Sequence, residues 1–280
     1  MARLIPRVVP HRSFYERRTS SDSDRTLRIV SYNIHRCRGL DGRVRPLRVA
    51  DVLLEVDPDI IALQEAIGPG RSTDGHAAVI AASLGMEWIM APTRVLRGHQ
   101  FGNVIMSRVP IVDHEQQDLT YPRREPRCCQ RVALRIGDAT LNVYNVHLGT
   151  AMFERKRQAP KLAAFVSDPH VEGPRIILGD FNEWVRGLTS RTLEERFRSI
   201  DLRPYRRVRR TYPGILPIVH LDHLYYDGPI EVTGIAFPRT ARTLMASDHL
   251  PLVVDLRITW VPQAEPARAE PAGQRTEEPG

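Results

Sequence analysis

The chain contains 280 residues, of which 42% are hydrophobic and 26% are charged, a composition typical of a soluble globular protein. No apolar run approaches the roughly 18–20 residues that are needed to cross a bilayer. The arginine-rich first residues also lack the apolar segment of a secretory signal. The sequence therefore argues against a membrane-spanning chain and against a secreted one.

The formal net charge is +7, and all 40 basic residues except Lys156 and Lys161 are arginine. A basic surface raises the local concentration of phosphates, nucleic acid or acidic lipids, without choosing among them. The three cysteines are Cys37, Cys128 and Cys129. An odd number with two adjacent argues against a disulfide framework and favours a reducing compartment, so we expect a cytoplasmic protein.

Three segments differ in composition. Residues 1–25 combine arginines with a Ser/Asp run and predict a disordered arm, residues 26–260 predict the structured domain, and the Pro-, Ala- and Glu-rich residues 261–280 predict a disordered tail. Within the domain, short apolar runs bounded by turn residues are typical of strands. They cover residues 27–32, 59–64, 87–90, 103–107, 111–119, 130–136, 140–146, 175–179, 220–226, 230–236 and 252–258.

Helical patterns are fewer, and they lie between some of these strands. Pro46 stands at the start of the first pattern, where a first-turn proline is tolerated, and Pro160 is predicted to interrupt or tighten the third. The patterns cover residues 46–56, 75–84, 153–166 and, more weakly, 188–197. Strands in series with few helices predict an α/β fold of the α+β type, with two packed, mainly antiparallel sheets covered by helices.

One apolar strand ends in Gly179-Asp180-Phe181-Asn182. In an extended chain the side chains of Asp180 and Asn182 share one face, because the side-chain period of a strand is two. Two oxygen-bearing groups at the end of a buried strand suit a hard cation and an attacking water. The same residue types are common in turns, so the segment alone also fits a strand that runs into a turn.

Other predicted strands also end in residues that can bind a cation or move a proton. These residues are Asn33, His35, Glu65, Asn145, His147, Asp222, His223, Asp248 and His249. Each of them alone also fits a strand cap, a turn or an exposed side chain. Their joint occurrence at strand ends favours a functional site, since loops on a rigid scaffold carry chemistry.

The motifs that contain these residues follow one another in a definite order. They are residues 31–35 (SYNIH), 63–65 (LQE), 102–108 (GNVIMSR), 145–148 (NVHL), 179–182 (GDFN), 221–223 (LDH) and 247–251 (SDHLP). The ordered set, which spans about residues 27–258, resembles that of the endonuclease/exonuclease/phosphatase superfamily. This superfamily includes DNase I-like nucleases, abasic-site endonucleases, neutral sphingomyelinases and inositol polyphosphate 5-phosphatases.

The resemblance implies a four-layer α/β sandwich, with a catalytic domain over residues 26–260 that hydrolyses phosphoesters. It further implies one or two divalent cations, Mg²⁺ or Mn²⁺. Carried over by position, Asn33, Glu65 and Asp248 become metal-site residues, and Asp180 is a further candidate ligand. All four offer the oxygen atoms that a hard ion requires.

The resemblance also implies roles in catalysis. His249 becomes the general base, and Asp222 holds its imidazole in one tautomer. Asp180 and Asn182 orient the attacking water, whereas His147 donates a hydrogen bond to the phosphoryl oxygens. Asn103 is expected to add to phosphate binding.

Two arginine-rich segments, residues 121–127 and 203–213, are candidates for substrate contact. Arg206 and Arg207 are expected to grip a phosphodiester backbone or anionic headgroups, with a nearby tyrosine available to stack on a base. A solvated basic loop explains either segment equally well. We expect nucleic acid as the first substrate class and a phospholipid or a small phosphorylated metabolite as the second. A catalytically silent binding module is disfavoured, because every motif keeps its chemically competent residue.

Overall fold

The computed structural model describes residues 24–71, 73–184, 187–202, 211–214 and 219–259. The strands of this described part are β1 (Asp24–Asn33), β2 (Ile60–Gly70), β3 (Glu87–Leu96), β4 (His99–Ser107), β5 (Ile111–Asp118), β6 (Cys128–Ile136), β7 (Ala139–His147), β8 (Arg175–Asp180), β9 (Arg198–Ser199), β10 (Asp222–Asp227), β11 (Ile230–Ala236) and β12 (Leu252–Thr259). The helices are α1 (Pro46–Val56), α2 (Gly75–Leu84), α3 (Met152–Val166), α4 (Leu188–Glu194) and α5 (Ala241–Ala246).

The strands form two sheets of six strands each. The strand order is β11-β12-β1-β2-β4-β3 in the first sheet and β5-β6-β7-β8-β10-β9 in the second. The two central strands of each sheet run parallel, β1 with β2 and β7 with β8, and the other neighbours are antiparallel. The prediction of two mainly antiparallel sheets is confirmed.

Side chains of alternating direction build the layers. Leu27 and Ile29 of β1 belong to a core between the sheets, together with Val143 and Leu178 of the second sheet. Val30, Tyr32 and the other outward residues pack against helices, because successive side chains of a strand point to opposite faces. Each fully buried aliphatic side chain in these cores contributes about 1.5–3 kcal/mol.

Helices cover the outer face of each sheet. The apolar sides of α1 and α2 cover the first sheet, through residues such as Leu53 and Ile80. Leu162 of α3 and Leu193 of α4 cover the second sheet. The layers are therefore helix, sheet, sheet and helix, as the expected four-layer sandwich requires.

Several element boundaries differ from the sequence prediction. Strands β2 and β3 continue to Gly70 and Leu96, beyond the predicted ends at residues 64 and 90, and β4 begins at His99, before residue 103. Helix α3 continues through Pro160, which lies on the exposed side of the helix, where water can satisfy the carbonyl that the proline leaves free. Helix α4 ends at Glu194, three residues before the predicted end at residue 197. Strand β1 begins at Asp24, inside the predicted arm, because it pairs with β12 from Asp24 onward.

Two short elements were not predicted. Helix α5 has only six residues, and it begins where Thr243 N donates 3.2 Å to Thr240 Oγ1. Strand β9 has two residues and pairs with β10. Elements of this length carry too little periodicity to stand out in a sequence.

No helix in the described ranges has the length and apolar character that a membrane span requires.

Candidate active site

An open cleft of about 450 Å³ lies at the ends of the central strands of both sheets. The first sheet contributes Asn33 at the end of β1 and Glu65 within β2. The second contributes His147 and Asp180, at the ends of β7 and β8. The predicted residues Asn182, Asp248 and His249 line the same cleft, so the fold brings together side chains that are far apart in sequence.

Backbone geometry positions the carboxylate of Asp180. Gly179 has φ of 144°, and a Cβ atom there would lie 2.0 Å from the carbonyl oxygen of Val146, so glycine is required next to β7. Phe181 turns into the outer core, and Asn182 adopts a left-handed φ of 51°. The Asn182 backbone N–H then donates 3.0 Å to Asp180 Oδ1, which fixes the carboxylate in the cleft.

A hydrogen bond between Asn33 and Asp180 joins the two sheets across the cleft. The Asn33 Nδ2 donates 3.0 Å to Asp180 Oδ2, and the Asn33 Oδ1 accepts 3.1 Å from the backbone N–H of His35. The hydroxyl of Ser247 donates 2.8 Å to the carbonyl oxygen of Asn33. The amide of Asn33 is therefore oriented, with its donor side on Asp180.

Glu65 and Asp248 are the carboxylates of the first sheet in this cleft. Glu65 lies at an irregularity in the pairing of β2 with β4 and has a left-handed φ of 56°. Its Oε2 is 3.9 Å from Nε of Arg36, and Oδ1 of Asp248 is 3.2 Å from Nδ1 of His35. Burial raises the pKa of Asp248, but the hydrogen bond from His35 outweighs this and holds it below its usual value. The carboxylate oxygens of Glu65 and Asp248 are therefore available to bind a cation.

The phenol of Tyr212 lies near the carboxylates of the cleft. Its ring centroid lies 4.8 Å from that of His249. Burial, and then the negative charges of Asp248, Asp180 and Glu65, raise the pKa of its hydroxyl. Three carboxylates from three strand ends therefore lie within electrostatic reach of one phenol.

The oxygen atoms of the cleft are of the kind that a divalent cation binds. Within the described residues, no three His, Cys, Asp or Glu side chains are arranged to hold a metal ion. Mg²⁺, however, commonly uses one or two carboxylates and keeps several waters. Glu65 and Asp248, with the amide of Asn33 beside them, fit this pattern.

His249 lies between two buried carboxylates. Its Nδ1 is 3.7 Å from Oδ2 of Asp222, and its Nε2 is 3.9 Å from Oδ2 of Asp180. In the described structure, neither oxygen of Asp222 has a hydrogen-bond partner, and nor does Nδ1 of His249, so these groups are each other's nearest charged neighbours. Burial lowers the pKa of His249, but Asp222 and Asp180 outweigh it and raise the pKa to about 9.

His147 approaches the same oxygen of Asp180 as His249 does, with its Nε2 3.7 Å from Asp180 Oδ2. The Nη1 of Arg127 is 2.7 Å from that same Nε2 and 2.8 Å from Nδ1 of the ring. Burial, and then the charges of Arg127 and His249, lower the pKa of His147 well below its usual value. His147 is therefore neutral, with a ring nitrogen that accepts from Arg127, whereas His249 favours its protonated form.

Arg127 is a cleft residue that the sequence did not single out. It is buried, and its Nη2 pairs at 3.0 Å with Glu125, which pairs at 2.6 Å with Arg94. The sequence offered the 121–127 segment only as a basic loop that contacts substrate or solvent. A single arginine among several carries no signal that would distinguish the buried one.

Asn103 does not lie on the described wall of the cleft. Its Nδ2 donates 3.1 Å to the carbonyl of Asn145 and 3.4 Å to that of Cys128, so its contacts are those of a bridge between the sheets. The side chain of Asn145 makes a similar bridge, donating to the carbonyls of Leu63 and Val104. Arg206 and Arg207 lie outside the described residues.

Asp222 and His223 have different places, although they are adjacent in sequence. Asp222 is completely buried behind the cleft and lies opposite Asp180 in the pairing of β10 with β8. The ring of His223 packs against Phe181, with centroids 5.4 Å apart. Asp222 therefore belongs to the site, whereas His223 belongs to the packing beneath it.

Comparisons with known proteins agree with this arrangement. The sequence profile of the Endonuclease/Exonuclease/phosphatase family matches residues 30–249, a segment that includes each cleft residue from Asn33 to His249. Over 249 residues the chain is 27% identical to the Escherichia coli K12 protein YbhP, covering 83% of this chain and 97% of YbhP.

Two solved structures share the fold. A Beutenbergia cavernae DSM 12333 endonuclease/exonuclease/phosphatase has a TM-score of 0.65 at 23% identity, covering 84% of this chain and 72% of that one. The Bacteroides thetaiotaomicron VPI-5482 mannosyl-6-phosphatase Bt3783 has a TM-score of 0.64 at 18% identity, covering 82% and 99% respectively.

Proposed function

Because the chain belongs to the endonuclease/exonuclease/phosphatase family, whose members generally act on phosphoesters, we propose that it is a metal-dependent phosphoester hydrolase that uses an activated water. The observation that carries this proposal is the hydrogen bond between Asn33 and Asp180. It brings an oxygen-rich wall from one sheet against the buried His–Asp groups around Asp180. Cation binding and proton transfer thus have separate residues at one cleft.

Glu65 and Asp248, with Asn33, would hold the cation, which we propose to be Mg²⁺ or Mn²⁺. When bound, it supplies Lewis-acid polarisation of the phosphoryl group and a positive charge that offsets the surrounding carboxylates. The partly exposed positions of Glu65 and Asp248 support this assignment, because a cation that keeps several waters needs access to solvent.

Asp180, Asn182 and His249 would act on the attacking water. Asn182 Nδ2 donates 3.0 Å to the carbonyl of Leu148, which leaves its Oδ1 to accept from the water. Asp180 is held by Asn33 and by the Asn182 backbone, so it can orient the water with little reorganisation. Beside a bound cation, whose charge opposes protonation of the imidazole, His249 would be neutral and its Nε2 would take the proton, and Asp222 on its other side would stabilise the imidazolium that forms.

His147 and Arg127 would stabilise the charge that develops on the phosphoryl oxygens. A neutral imidazole keeps one N–H donor, and the guanidinium beside it is permanently charged. Preorganised donors of this kind are each worth about 10²–10³ in rate.

Nucleic acid is the substrate class that we propose first. Trp184 is 69% exposed beside the cleft, where its ring can stack on a base. Arg94 lies over the ring of Phe101, 4.7 Å from its centroid, and adds a cation to the same wall. The net charge of +7 favours a polyanion.

Hydrolysis of bis-p-nitrophenyl phosphate tests the reaction class. We expect turnover with Mg²⁺ or Mn²⁺ that EDTA removes and added metal restores. Folded protein that turns over neither this ester nor any substrate below, at any pH and with either metal, would contradict the proposal.

The substrate class is tested by parallel incubation with plasmid, single-stranded DNA, RNA and phospholipid vesicles. Cleavage of vesicles alone would show that the nucleic-acid assignment is wrong.

Trp184→Ala tests the stacking surface. Loss of one base–aromatic stack, worth about 1–3 kcal/mol, should raise KM for single-stranded DNA about tenfold while leaving bis-p-nitrophenyl phosphate hydrolysis unchanged. Val112→Ala, which removes an exposed apolar side chain on β5, serves as the control. Equal effects of Trp184→Ala on both substrates would place the residue in folding or chemistry instead.

A further inference from the structure

A second cavity, of about 580 Å³, lies beside the catalytic cleft and shares Arg36 with it. Five basic side chains line it, namely Arg36, Arg38, His76, Arg97 and His99, and we call it the basic pocket. Its described wall contains no carboxylate, whereas four carboxylates line the cleft. Arginine and histidine side chains that face one cavity whose wall holds no carboxylate form a binding surface for an anion, although Arg36 also lies 3.9 Å from Glu65 of the cleft.

Unusual backbone geometry builds one wall of the basic pocket. His35, Arg36 and Cys37 directly follow β1 and have consecutive positive φ angles of 43°, 56° and 58°. Left-handed conformations of this kind cost about 1–2 kcal/mol per non-glycine residue. The chain thus keeps a costly turn that carries Arg36 to the boundary of both cavities and Arg38 to the pocket.

Two tight turns complete the wall. Arg97 and Gly98, with φ of 51° and 82°, join β3 to β4 as a two-residue hairpin, which sets Arg97 and His99 beside the cavity. Gly75 begins α2 with φ of 76°, and a Cβ atom there would lie 2.0 Å from the carbonyl oxygen of Gly68. This close approach brings His76, in the first turn of α2, to the pocket.

The basic groups also lack some of the partners that buried polar atoms normally have. In the described structure, Nδ1 of His76 and Nε of Arg36 are buried and make no hydrogen bond. Burial, and then the neighbouring His99, lower the pKa of His76, whereas a hydrogen bond with the Arg36 backbone opposes this. An anion would supply a hydrogen-bond acceptor for Nε of Arg36, which lies 3.9 Å from Glu65, and a charge opposite to that of the arginines.

We propose that the basic pocket is a second subsite, which binds a phosphate of the nucleic-acid substrate next to the phosphate that is cleaved. This inference rests on the proposed function and deepens it. Arg36 contacts both cavities, so a strand that places one phosphate in the cleft can place a neighbouring one in the pocket. The substrate is then expected to carry at least two phosphates.

The kinetic test uses the double variant Arg38→Ala/Arg97→Ala, because neither residue lines the cleft. We expect unchanged hydrolysis of bis-p-nitrophenyl phosphate, which has one phosphate. For a single-stranded oligonucleotide we expect KM to rise at least about tenfold. The slope of log KM against log salt concentration should also decrease by about one, as for one lost phosphate contact. Arg135→Ala/Arg196→Ala removes two exposed arginines elsewhere and serves as the charge-matched control. Equal KM changes in the two double variants would overturn the proposal.

A binding test separates failure of this subsite from failure of the proposed function. Inorganic pyrophosphate is titrated into the full chain, and the imidazole NMR signals of His76 and His99 are followed. We expect shifts at these histidines in the wild type and in the control variant, and their loss in Arg38→Ala/Arg97→Ala. Wild-type protein that binds pyrophosphate here without hydrolysing any ester would contradict the proposed function and keep the anion site. Absence of any shift at His76 and His99 would refute the anion site, whatever the enzymatic activity.

Discussion

In both sheets the central parallel pair ends at the cleft, and an antiparallel neighbour begins there. The first sheet brings Asn33 and Glu65 from β1 and β2, with Asp248 and His249 just before β12. The second brings Asp180 and His147 from β8 and β7, with Asp222 at the start of β10. The strand arrangement is the same in both sheets. Asn33 and Asp180, which are hydrogen-bonded to each other, occupy equivalent places in it, each at the end of a parallel strand that neighbours an antiparallel one.

The chemistry of the two sides differs in exposure. The side chains of Glu65 and Asp248 are 23% and 28% exposed, and they lie near Arg36 and His35 respectively. Those of Asp180 and Asp222 are only 2% and 0% exposed, and both lie near histidines. Carboxylates that are accessible to solvent suit a hydrated cation. Buried carboxylates interact more strongly with a nearby protonated group, because the surrounding dielectric constant is lower. One strand arrangement thus supports two kinds of chemistry.

The largest effects are expected at the centre, where both sides meet. His249→Ala and Asp180→Ala should lower kcat for bis-p-nitrophenyl phosphate by at least about 10³-fold, since they remove the base and the group that positions the water. His170→Ala and Asp138→Ala, which change exposed residues away from the cleft, should have wild-type activity. Activity within tenfold of wild type in either of the first two variants, with a folded protein, would refute the assigned roles.

A metal titration distinguishes the carboxylates proposed to bind the cation from those proposed to control the proton. Glu65→Gln or Asp248→Asn should raise the Mg²⁺ concentration for half-maximal activity at least about tenfold, because each removes a charged ligand. Asp222→Asn, on the buried side, should lower kcat and leave the metal requirement within a factor of about two. The division between cation and proton chemistry is wrong if Asp222→Asn changes the metal requirement as much as Glu65→Gln does.

The pKa values of His249 and His147 should lie on opposite sides of the usual histidine value of 6.5. In protein treated with EDTA, imidazole NMR signals should give a midpoint near pH 9 for His249 and one well below 6.5 for His147. His249 binds its proton more tightly in the folded state, so its contribution to stability is present below pH 6.5 and is lost as the pH rises through about 9. His147 must stay neutral to remain buried, so its contribution is lost as the pH falls below 6.5.

Asp222→Asn checks the cause of this difference. Loss of the carboxylate should lower the pKa of His249 and leave the pKa of His147 unchanged. The control Asp227→Asn, at the exposed end of β10, should change neither pKa. A midpoint that stays near 9 in Asp222→Asn would show that Asp222 is not what holds the proton.

Sequence patterns predicted most of the fold, because periodic apolar positions report which face of a strand or helix is buried. The short apolar run around Ile29 and the helical pattern after Pro46 were sufficient to locate β1 and α1. Most of the predicted polar strand ends also line the cleft, since a strand end is set by the same pattern, but Asn145 and His223 do not. Asn103 shows the limit: its position within a motif did not reveal that its amide bridges two sheets.

Other features depend on contacts between distant segments, which leave no local pattern. Arg127 is one of many arginines, and only the fold shows that it is buried against His147. The basic pocket likewise combines a turn after β1, the start of α2 and the hairpin between β3 and β4. Arg36 and Arg38 lie just after the motif of residues 31–35, and the other two segments contain no motif, so each contributes only one or two side chains without a recognisable pattern.

The smallest effect is expected at Glu183, a buried carboxylate of the second side that has a structural role. It accepts hydrogen bonds from the backbone N–H groups of Thr189 and Ser190, at 2.9 and 3.0 Å, and so caps the start of α4. Burial raises its pKa, but hydrogen bonds from Ser190 and Thr189 outweigh this and hold it below the usual 4.5. Its contribution to stability is therefore present above pH 4.5 and is lost as the pH falls through its lower, folded-state pKa.

Glu183→Gln should lower the free energy of unfolding at pH 7 by about 1 kcal/mol, as for a weakened helix cap, and leave kcat and the metal requirement unchanged. Thr192→Ala, in the same helix but away from its cap, provides the control for helix stability. Urea unfolding at pH 7 and at pH 4 measures the effect, and the difference between wild type and Glu183→Gln should shrink at the lower pH. A loss of kcat comparable with that of Asp180→Ala would mean that burial beside the cleft, rather than contact with His249 and Asn33, determines which carboxylates serve the reaction.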